Sequence, residues 1–360
     1  MKATAIREDT RARVEDALRD RFSQHTEAAE AYGAEFASLW RTAADHALGG
    51  KLIRPCLLLD VHHALTPDAD AEHPPHAAVE IATCIELLHY AFLLHDDVID
   101  GDLTRRGRPN LIGELAARGG TGDDEARLHW ARSSAILMGD LLLSAALMGF
   151  SRADLPSGTR SALLDLVDEA IRETVAGEHT DVALSLGMLG SDLSTVLSMS
   201  ANKTAAYSFT LPLRVAALLA GASPAADEAL RRAGRHLGLA YQLQDDVLCA
   251  FGDHRTHGKD AFSDLREGKE TAIIAFARTT STWSRIAPRF GSAALSLQDT
   301  IGMRDLLREC GAERFVTGLI DDQLDAVRAL MAEAEATGEI SANAARAVLV
   351  SASRLEGRRA

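Results

Sequence analysis

Long stretches rich in alanine and leucine constrain the fold of this 360-residue chain more than any other feature of its sequence. Their apolar residues recur at i, i+3 and i+4, the spacing that gives an α-helix one apolar face. No run of alternating β-branched residues stands out, so we expect strands to be unimportant. The pattern predicts an all-α fold. The predicted helices cover residues 10–47, 52–65, 76–102, 123–150, 158–186, 192–220, 225–252, 268–281, 297–310, 312–336 and 340–354.

Helix breakers separate these stretches without dividing the chain into domains. Segments such as Gly221–Pro224 and the polar loop Gly252–Asp264 mark connections. No change of composition and no Ser/Gly linker accompanies them, so we predict a single domain over residues 1–360. Hydrophobic residues make up 47% of the chain, enough for a large core. The helix lengths favour a single large helical bundle around a central cavity.

Charge and cysteine content exclude several classes of function. The net charge of −14 argues against nucleic acid as the main partner. Four cysteines without a CxxC motif suit a reduced, cytoplasmic chain. The N-terminal segment is too highly charged for a signal peptide. The apolar stretch Ala135–Phe150 is short and contains Asp140, so we predict a buried helix rather than a membrane span.

Two stretches of predicted apolar helix each contain adjacent aspartates. In LLHDDVIDGD, Asp96 and Asp100 are four residues apart and point the same way, with Asp97 about 100° round the helix. YQLQDDVLCAFGD repeats the pair with Asp245 and Asp246. Like charges at this spacing repel one another, so they require cations. Mg²⁺ prefers oxygen ligands and usually takes one or two carboxylates plus substrate phosphates.

One acid pair alone has a simpler explanation, a helix end that faces water. Two pairs in apolar helices make that explanation less attractive, because together they would form a metal-binding cage if they faced each other across a cavity. The five candidate metal ligands are Asp96, Asp97, Asp100, Asp245 and Asp246.

Basic residues are clustered near these acids. They are Lys51, Arg54, Arg105, Arg106, Lys203, Lys259, Arg266 and Lys269. Lys51 and Arg54 are three residues apart, which predicts a shared helix face. Each residue alone is most simply a surface charge, but the set suits a polyanion held by metal ions and basic side chains. Neither a GxxxxGK[ST] loop nor a GxGxxG motif is present, so the chemistry favoured is that of a metal-bound diphosphate in an apolar cavity.

An ordered set of motifs covers most of the chain. They are GGKLIRP, ELLHYAFLLHDDVIDGDLTRRGRPN, GDLLL, GEHTDV, KTAAY, YQLQDDVL, FGD and GKDAFSDLREGKET. This set resembles the trans-isoprenyl diphosphate synthases, the polyprenyl synthetase family. The resemblance implies the isoprenoid synthase fold, usually as a homodimer. It also implies a Mg²⁺-dependent prenyltransferase that joins isopentenyl diphosphate to an allylic diphosphate by ionisation, attack of the isopentenyl double bond and proton loss.

The resemblance further implies a role for each motif residue. Mg²⁺ would be bound by Asp96, Asp100 and Asp245, with support from Asp97 and Asp246; three ions are implied, with Mn²⁺ as an alternative. The allylic diphosphate would be held by Arg105, Lys203 and Lys259. Isopentenyl diphosphate would be held by Lys51, Arg54, His89 and Arg106. The implied catalytic residues are Lys203, Thr204 and Gln242, the last two near the developing carbocation.

Three positions depart from the family pattern. Cys249 replaces the third acid of the second motif, Glu178 stands where glutamine is common, and Asn110 stands where threonine is common. The cysteine matters most, because it weakens one side of the predicted cage.

Product length in this family depends on residues just before the first motif, where a bulky side chain stops elongation early. Phe92 is large and Ala91 is small, so we predict a C20 product, geranylgeranyl diphosphate, with C15 farnesyl diphosphate as the alternative. Plain core packing of Phe92 is the simpler explanation of that residue.

Two other functions stay open on the sequence. A terpene cyclase shares the fold, but the second Asp-Asp pair, the isopentenyl-binding set and an aromatic content of 5% argue against it. A non-catalytic partner subunit of a heteromeric synthase would be expected to lose acids, and Cys249 alone favours that reading.

Overall fold

Helices account for most of the chain in the computed structural model, which describes residues 2–66, 75–105, 107–118, 122–252, 263–292 and 294–356. The predicted all-α fold is confirmed. In chain order the first helices are α1 (Lys2–Glu30), α2 (Ala34–Ala47), α3 (Ile53–Leu65), α4 (His76–Asp100), α5 (Leu111–Ala117), α6 (Asp124–Arg152), α7 (Ser157–Ser185) and α8 (Leu193–Ser200). A two-stranded hairpin, β1 (Thr104–Arg105) and β2 (Arg108–Pro109), lies between α4 and α5.

A π-helical stretch follows α8 directly and is called the π segment (Ala201–Thr210) below. The remaining helices are α9 (Leu211–Leu219), α10 (Pro224–Phe251), α11 (Ser263–Glu267), α12 (Ala272–Arg278), α13 (Trp283–Ile286), α14 (Leu297–Glu309), α15 (Ala312–Ala336) and α16 (Ala342–Glu356).

One predicted helix is wrong as a continuous element. The helix over residues 10–47 breaks at Gly33, whose φ of 117° lies in a region that side chains rarely allow. The predicted helix over 192–220 is observed as unbroken helix from Leu193 to Leu219, with the π segment in its middle. The predicted shared face of Lys51 and Arg54 is also wrong, because α3 begins only at Ile53.

The chain divides into two compact units, and the prediction of a single domain stays a prediction. Unit 1 comprises Met1–Leu164 and Leu218–Ala220, and unit 2 comprises Asp165–Ala217 and Gly221–Ala360.

In unit 1, glycines of α6 allow α4 to pack closely and antiparallel against it. A Cβ atom on Gly139 would lie 2.4 Å from His95 Nε2, and one on Gly149 would lie 2.2 Å from Cys84 Sγ. Real Cβ atoms do not approach that closely, so a larger residue at either position would have to displace the His95 ring or the Cys84 side chain. The contact places the acidic end of α4 against the middle of α6.

In unit 2, glycines of α7 and α10 hold the π segment by its backbone. A Cβ atom on Gly177 would lie 2.2 Å from the backbone nitrogen of Lys203, and one on Gly238 would lie 2.3 Å from Ala205 Cα. Gly234, one turn earlier on α10, is also tight, since a Cβ atom there would lie 2.7 Å from Thr210 Cα. Because the contacts are to backbone atoms, the position of the π segment is set by close helix packing and not by its side chains alone.

Among the described residues, two helices are long and apolar enough to cross a membrane. The most apolar window of α4 is 72% buried, as expected of a core helix. That of α6 is only 39% buried. Its exposed apolar side chains are Trp130, Ile136, Leu137 and Met148. The prediction that Ala135–Phe150 is a buried helix is therefore correct for one face of α6 only.

Gly238→Ala is expected to lower the free energy of unfolding by about 1–3 kcal/mol, because the new methyl group overlaps the backbone of the π segment. Gly318→Ala on α15 is the matched control, since a Cβ atom there meets nothing within 4 Å. The free energy of unfolding of Gly318→Ala should be unchanged or rise by up to about 1 kcal/mol, because alanine has a higher helix propensity than glycine. Urea unfolding followed by circular dichroism measures both; equal stability of the two variants would contradict the close packing.

Candidate active site

The first acid motif lies at the C-terminal end of α4. Asp97 is 2% exposed, whereas Asp96 and Asp100 are part-exposed. The helix ends at Gly101, which takes up a left-handed φ of 76°, and the Asp102 N–H donates to the Asp97 carbonyl at 2.9 Å. This sharp end turns the chain back toward the acids.

The hairpin after α4 brings Arg105 back onto the acid pair. Its Nη2 donates to Asp97 Oδ1 at 2.5 Å, and its Nε donates to the same oxygen at 3.2 Å. The same Nη2 lies 3.5 Å from Asp96 Oδ2. Arg105 therefore compensates the buried carboxylate, while Asp96 and Asp100 keep part of their surface exposed.

The pKa values of this pair reflect both its burial and the attraction between its charges. Burial raises the pKa of Asp97 to about 6, although Arg105 acts to lower it. Burial also acts to lower the pKa of Arg105, but the neighbouring carboxylates, led by Asp97, outweigh it and raise the pKa above its usual range. The end of α4 is therefore a partly desolvated anionic site that favours cations.

His95, to which the sequence assigns no role, connects the acid motif to α6. Its Nε2 lies 3.3 Å from Asp140 Oδ1, in the notch that Gly139 leaves open. Gly139 and Asp140 are adjacent in the GDLLL motif, so the sequence contained a signal for this contact. Only the packing of α4 on α6 shows that both residues meet His95.

The predicted isopentenyl diphosphate ligands of unit 1 lie in two places. His89 is part-exposed on α4, two turns before Asp96. Lys51 is exposed just before α3, and Arg54 is part-exposed in its first turn. Between them Leu52 has a φ of 48°, a left-handed value that no other described non-glycine residue adopts. Such strain clusters at functional sites, and it is the one backbone feature that singles out this turn.

The second acid motif repeats the arrangement of the first. On α10, Asp245 is part-exposed and Asp246 is 6% exposed. Gln242 Nε2 donates to Asp246 Oδ1 at 2.8 Å, and the Thr204 hydroxyl donates to Gln242 Oε1 at 2.7 Å. The three predicted neighbours thus form one hydrogen-bonded chain. Cys249, at the place of the third acid, is buried at 5% exposure.

Lys203, on the π segment, is held by two acids of α7. Its Nζ lies 2.7 Å from Asp181 Oδ2 and 2.9 Å from Glu178 Oε2. Glu178 departs from the family pattern in the sequence, and nothing in the sequence predicts its pairing with Lys203. The pairing depends on the close approach of α7 to the π segment at Gly177.

The structure groups the predicted residues within each unit. Unit 1 contains Lys51, Arg54, His89, Asp96, Asp97, Asp100 and Arg105; unit 2 contains Lys203, Thr204, Gln242, Asp245 and Asp246. Arg106 and Lys259 lie outside the described residues. Across the part of the chain that the structure describes, no three His, Cys, Asp or Glu side chains form a metal-holding group by themselves.

Comparison with known proteins identifies the family of this chain. The polyprenyl synthetase family model matches residues 37–291. The chain is 33% identical over 273 residues to (2E,6E)-farnesyl diphosphate synthase of Mycobacterium tuberculosis, covering 74% of this chain and 68% of that protein. It is 30% identical over 271 residues to geranylgeranyl diphosphate synthase of Methanosarcina mazei, covering 75% and 76%.

Solved structures agree with these relatives. The geranylgeranyl pyrophosphate synthase of Corynebacterium glutamicum, complexed with isoprenyl diphosphate and magnesium, superposes with a TM-score of 0.85 at 28% identity, covering 96% of this chain and 99% of that one. The fold is thus the isoprenoid synthase fold. The chain therefore belongs to the polyprenyl synthetase family and is a short-chain trans-prenyl diphosphate synthase of the farnesyl or geranylgeranyl type.

Proposed function

We propose that this chain is a Mg²⁺-dependent geranylgeranyl diphosphate synthase that condenses isopentenyl diphosphate with allylic diphosphates to a linear all-trans C20 product. The observation that carries the proposal is the repeated acid arrangement. In each motif one aspartate is buried and held by a neighbour, Asp97 by Arg105 and Asp246 by Gln242. Its partner, Asp96 or Asp245, keeps part of its surface exposed.

The donor set fits Mg²⁺. Asp96, Asp100 and Asp245 offer hard carboxylate oxygens, and Asp97 and Asp246 would support them through their hydrogen bonds. Because Mg²⁺ keeps several positions for phosphate oxygens and water, few protein ligands are needed. When bound, the ions neutralise charge on the departing diphosphate. We propose three ions with the allylic substrate, with Mn²⁺ as an alternative.

Basic side chains would bind and orient the two diphosphates. Arg105 and Lys203, with Lys259, would hold the allylic diphosphate. Lys51, Arg54, His89 and Arg106 would hold isopentenyl diphosphate. Arginine suits this task because its planar fork matches phosphate oxygens. Orientation of the double bond against the allylic carbon would supply much of the rate enhancement.

The chain of Thr204, Gln242 and Asp246 would stabilise the developing carbocation. Gln242 donates its amide hydrogen to Asp246, and this fixes its oxygen toward Thr204. Both oxygen dipoles are thereby oriented before the reaction, as preorganised electrostatic stabilisation requires. The proton lost in the final step would pass to the released diphosphate.

A C20 product is proposed from the residues before the first motif. Ala91 is fully buried and Phe92 is part-buried on α4. The large ring of Phe92, next to the short side chain of Ala91, would stop elongation after a moderate length. Farnesyl diphosphate is the second candidate, because the relatives include both types.

We also propose a cytoplasmic homodimer. The exposed apolar side chains of α6 support a partner on that face, since soluble monomers seldom expose such stripes. The four cysteines, all within the described part of the chain, are thiols outside any disulfide, as suits a reducing compartment.

The purified chain alone, incubated with Mg²⁺, isopentenyl diphosphate and geranyl diphosphate, is expected to yield linear geranylgeranyl diphosphate by chromatography. The same preparation should elute as a dimer in size-exclusion chromatography with light scattering. A cyclic hydrocarbon would identify a cyclase, and no product from the chain alone would identify a partner subunit.

Asp96→Ala and Asp245→Ala are expected to abolish turnover in this assay, because each removes a proposed metal ligand. Asp325→Ala is the control, since that side chain is 74% exposed on α15. Near-normal turnover of Asp245→Ala would refute the metal assignment.

Cys249→Ala is expected to keep most of the turnover, and Cys249→Asp should lower the Mg²⁺ concentration at half-maximal activity. The position is buried, so a carboxylate there would be desolvated and would favour a nearby cation. Cys310→Asp, on a part-exposed cysteine, controls for the added charge. An unchanged midpoint in Cys249→Asp would place the position outside the metal site.

Phe92→Ala is expected to shift the product distribution to longer prenyl diphosphates, because the ring would no longer block the growing chain. Chromatography of dephosphorylated products measures the shift. Tyr32→Ala, which removes a ring that is 80% exposed, should leave the distribution unchanged. The same distribution in Phe92→Ala would mean that the ring only packs in the core.

A further inference from the structure

The side chain of Asn110 joins the acidic end of α4 to the first turn of α5. Asn110 is 4% exposed, so its polar atoms are shielded from water. Its Oδ1 accepts the Gly113 N–H at 2.9 Å, which makes Asn110 the N-cap of α5. Its Nδ2 donates to the Asp102 carbonyl at 2.8 Å. One amide group therefore satisfies a donor of α5 and an acceptor just beyond the end of α4.

Backbone contacts close the base of the hairpin at the same place. The Asn110 N–H donates to the Leu103 carbonyl at 3.0 Å, and the Asp102 N–H donates to the Asp97 carbonyl at 2.9 Å. A Cβ atom on Gly113 would lie 2.1 Å from the Leu103 oxygen, so the first turn of α5 lies directly against the hairpin. The hairpin is therefore held at both ends, to α4 through Asp102 and to α5 through Asn110.

The hairpin carries Arg105, whose position depends on this base. Arg105 is paired with Arg108 in the two-stranded ladder, and Arg108 precedes Asn110 by two residues. The Arg105 side chain donates to Asp97 through both Nε and Nη2. A two-stranded hairpin is only marginally stable by itself. The placement of the Arg105 guanidinium on the acid motif therefore requires that the base of the hairpin be held by other elements.

The helix α5 is itself held against α2. Glu114 Oε2 lies 2.8 Å from His46 Nε2, and Glu114 Oε1 accepts from Arg118 Nη2 at 2.8 Å. Arg118 also donates to the Thr42 hydroxyl of α2. Because these side chains connect the two helices, α5 is a firm support to which Asn110 attaches the hairpin.

We propose that Asn110 is a positioning residue, which holds the hairpin through the Asp102 carbonyl so that Arg105 meets the allylic diphosphate beside the first acid motif. The inference rests on the proposed binding of that diphosphate by Arg105. Helix capping alone does not require asparagine, because serine and aspartate cap helices about equally well. The bond to Asp102 requires a donor at the second terminal atom of the side chain. Aspartate has an acceptor at that place, and serine has no atom there.

Asn110→Ser and Asn110→Asp test the proposal, since both keep the cap and both lack the amide N–H. In hydrogen–deuterium exchange, a peptide that spans Leu103 and Gly113 should exchange about threefold to tenfold faster in both variants, the size of one lost hydrogen bond. The dissociation constant of geranyl diphosphate, measured by calorimetry with saturating Mg²⁺, should rise by a similar factor. Thermal unfolding verifies that both variants are folded.

Two results of this experiment would overturn the proposal. Unmodified exchange and affinity in both variants would mean that the bond to Asp102 does not hold the hairpin. Effects confined to Asn110→Asp would mean that the added negative charge, and not the missing N–H, is their cause.

Asp123→Ser is the matched control, because it replaces the cap of another helix in the same unit. Asp123 is exposed and caps α6 by accepting the Ala126 N–H at 2.9 Å, a bond that serine should keep. Its hairpin exchange and its affinity for geranyl diphosphate should match those of the unmodified chain. If Asp123→Ser weakened binding as much as Asn110→Ser, the effect would be a general one of cap replacement and the inference would fail.

Arg105→Gln, which keeps a donor for Asp97, separates this inference from the proposed function. We expect weaker binding of geranyl diphosphate in Arg105→Gln and no further weakening by Asn110→Ser in the double variant. Weaker binding in Arg105→Gln with the full additional effect of Asn110→Ser would refute the role of Asn110 alone. Unchanged binding in Arg105→Gln would refute the role of Arg105 and, with it, the inference.

Discussion

Like charges inside apolar helices are the constraint on which the arrangement of this protein depends. Each acid motif resolves it in the same way: one carboxylate is buried and given a fixed partner, and the neighbouring one keeps some contact with solvent. For Asp97 the partner is Arg105, returned to α4 by the hairpin. For Asp246 it is the amide of Gln242. Each pair therefore presents a part-exposed acid beside a buried one that is fixed by its hydrogen bonds.

Glycines at helix contacts decide where these partners lie. Gly139 accepts the ring of His95, and Gly177 and Gly238 bring α7 and α10 against the backbone of the π segment. Close backbone approach leaves little freedom for repacking. The position of Lys203 between two acids follows from that approach, and so does the short hydrogen-bonded path from Thr204 to the second acid motif.

Much of the helical fold was predictable from the sequence, because helical periodicity is a local signal. The family was predictable because the ordered motifs are specific to it. The helices over 312–336 and 297–310 lie within a residue of those observed. The break at Gly33 was missed because apolar spacing continues through it, and the π segment because its sequence has helical composition. Pairings between distant residues, such as His95 with Asp140, carry no periodic signal at all.

The sequence by itself determined the fold class and the family, because residue spacing specifies helices and the ordered motifs are specific to one family. Tertiary structure alone decided which acid of each pair is buried and what neutralises it. Burial and ion pairing depend on which helices meet and how closely their backbones approach. That is why Glu178 was a minor departure in the sequence and becomes, in the fold, a direct partner of Lys203.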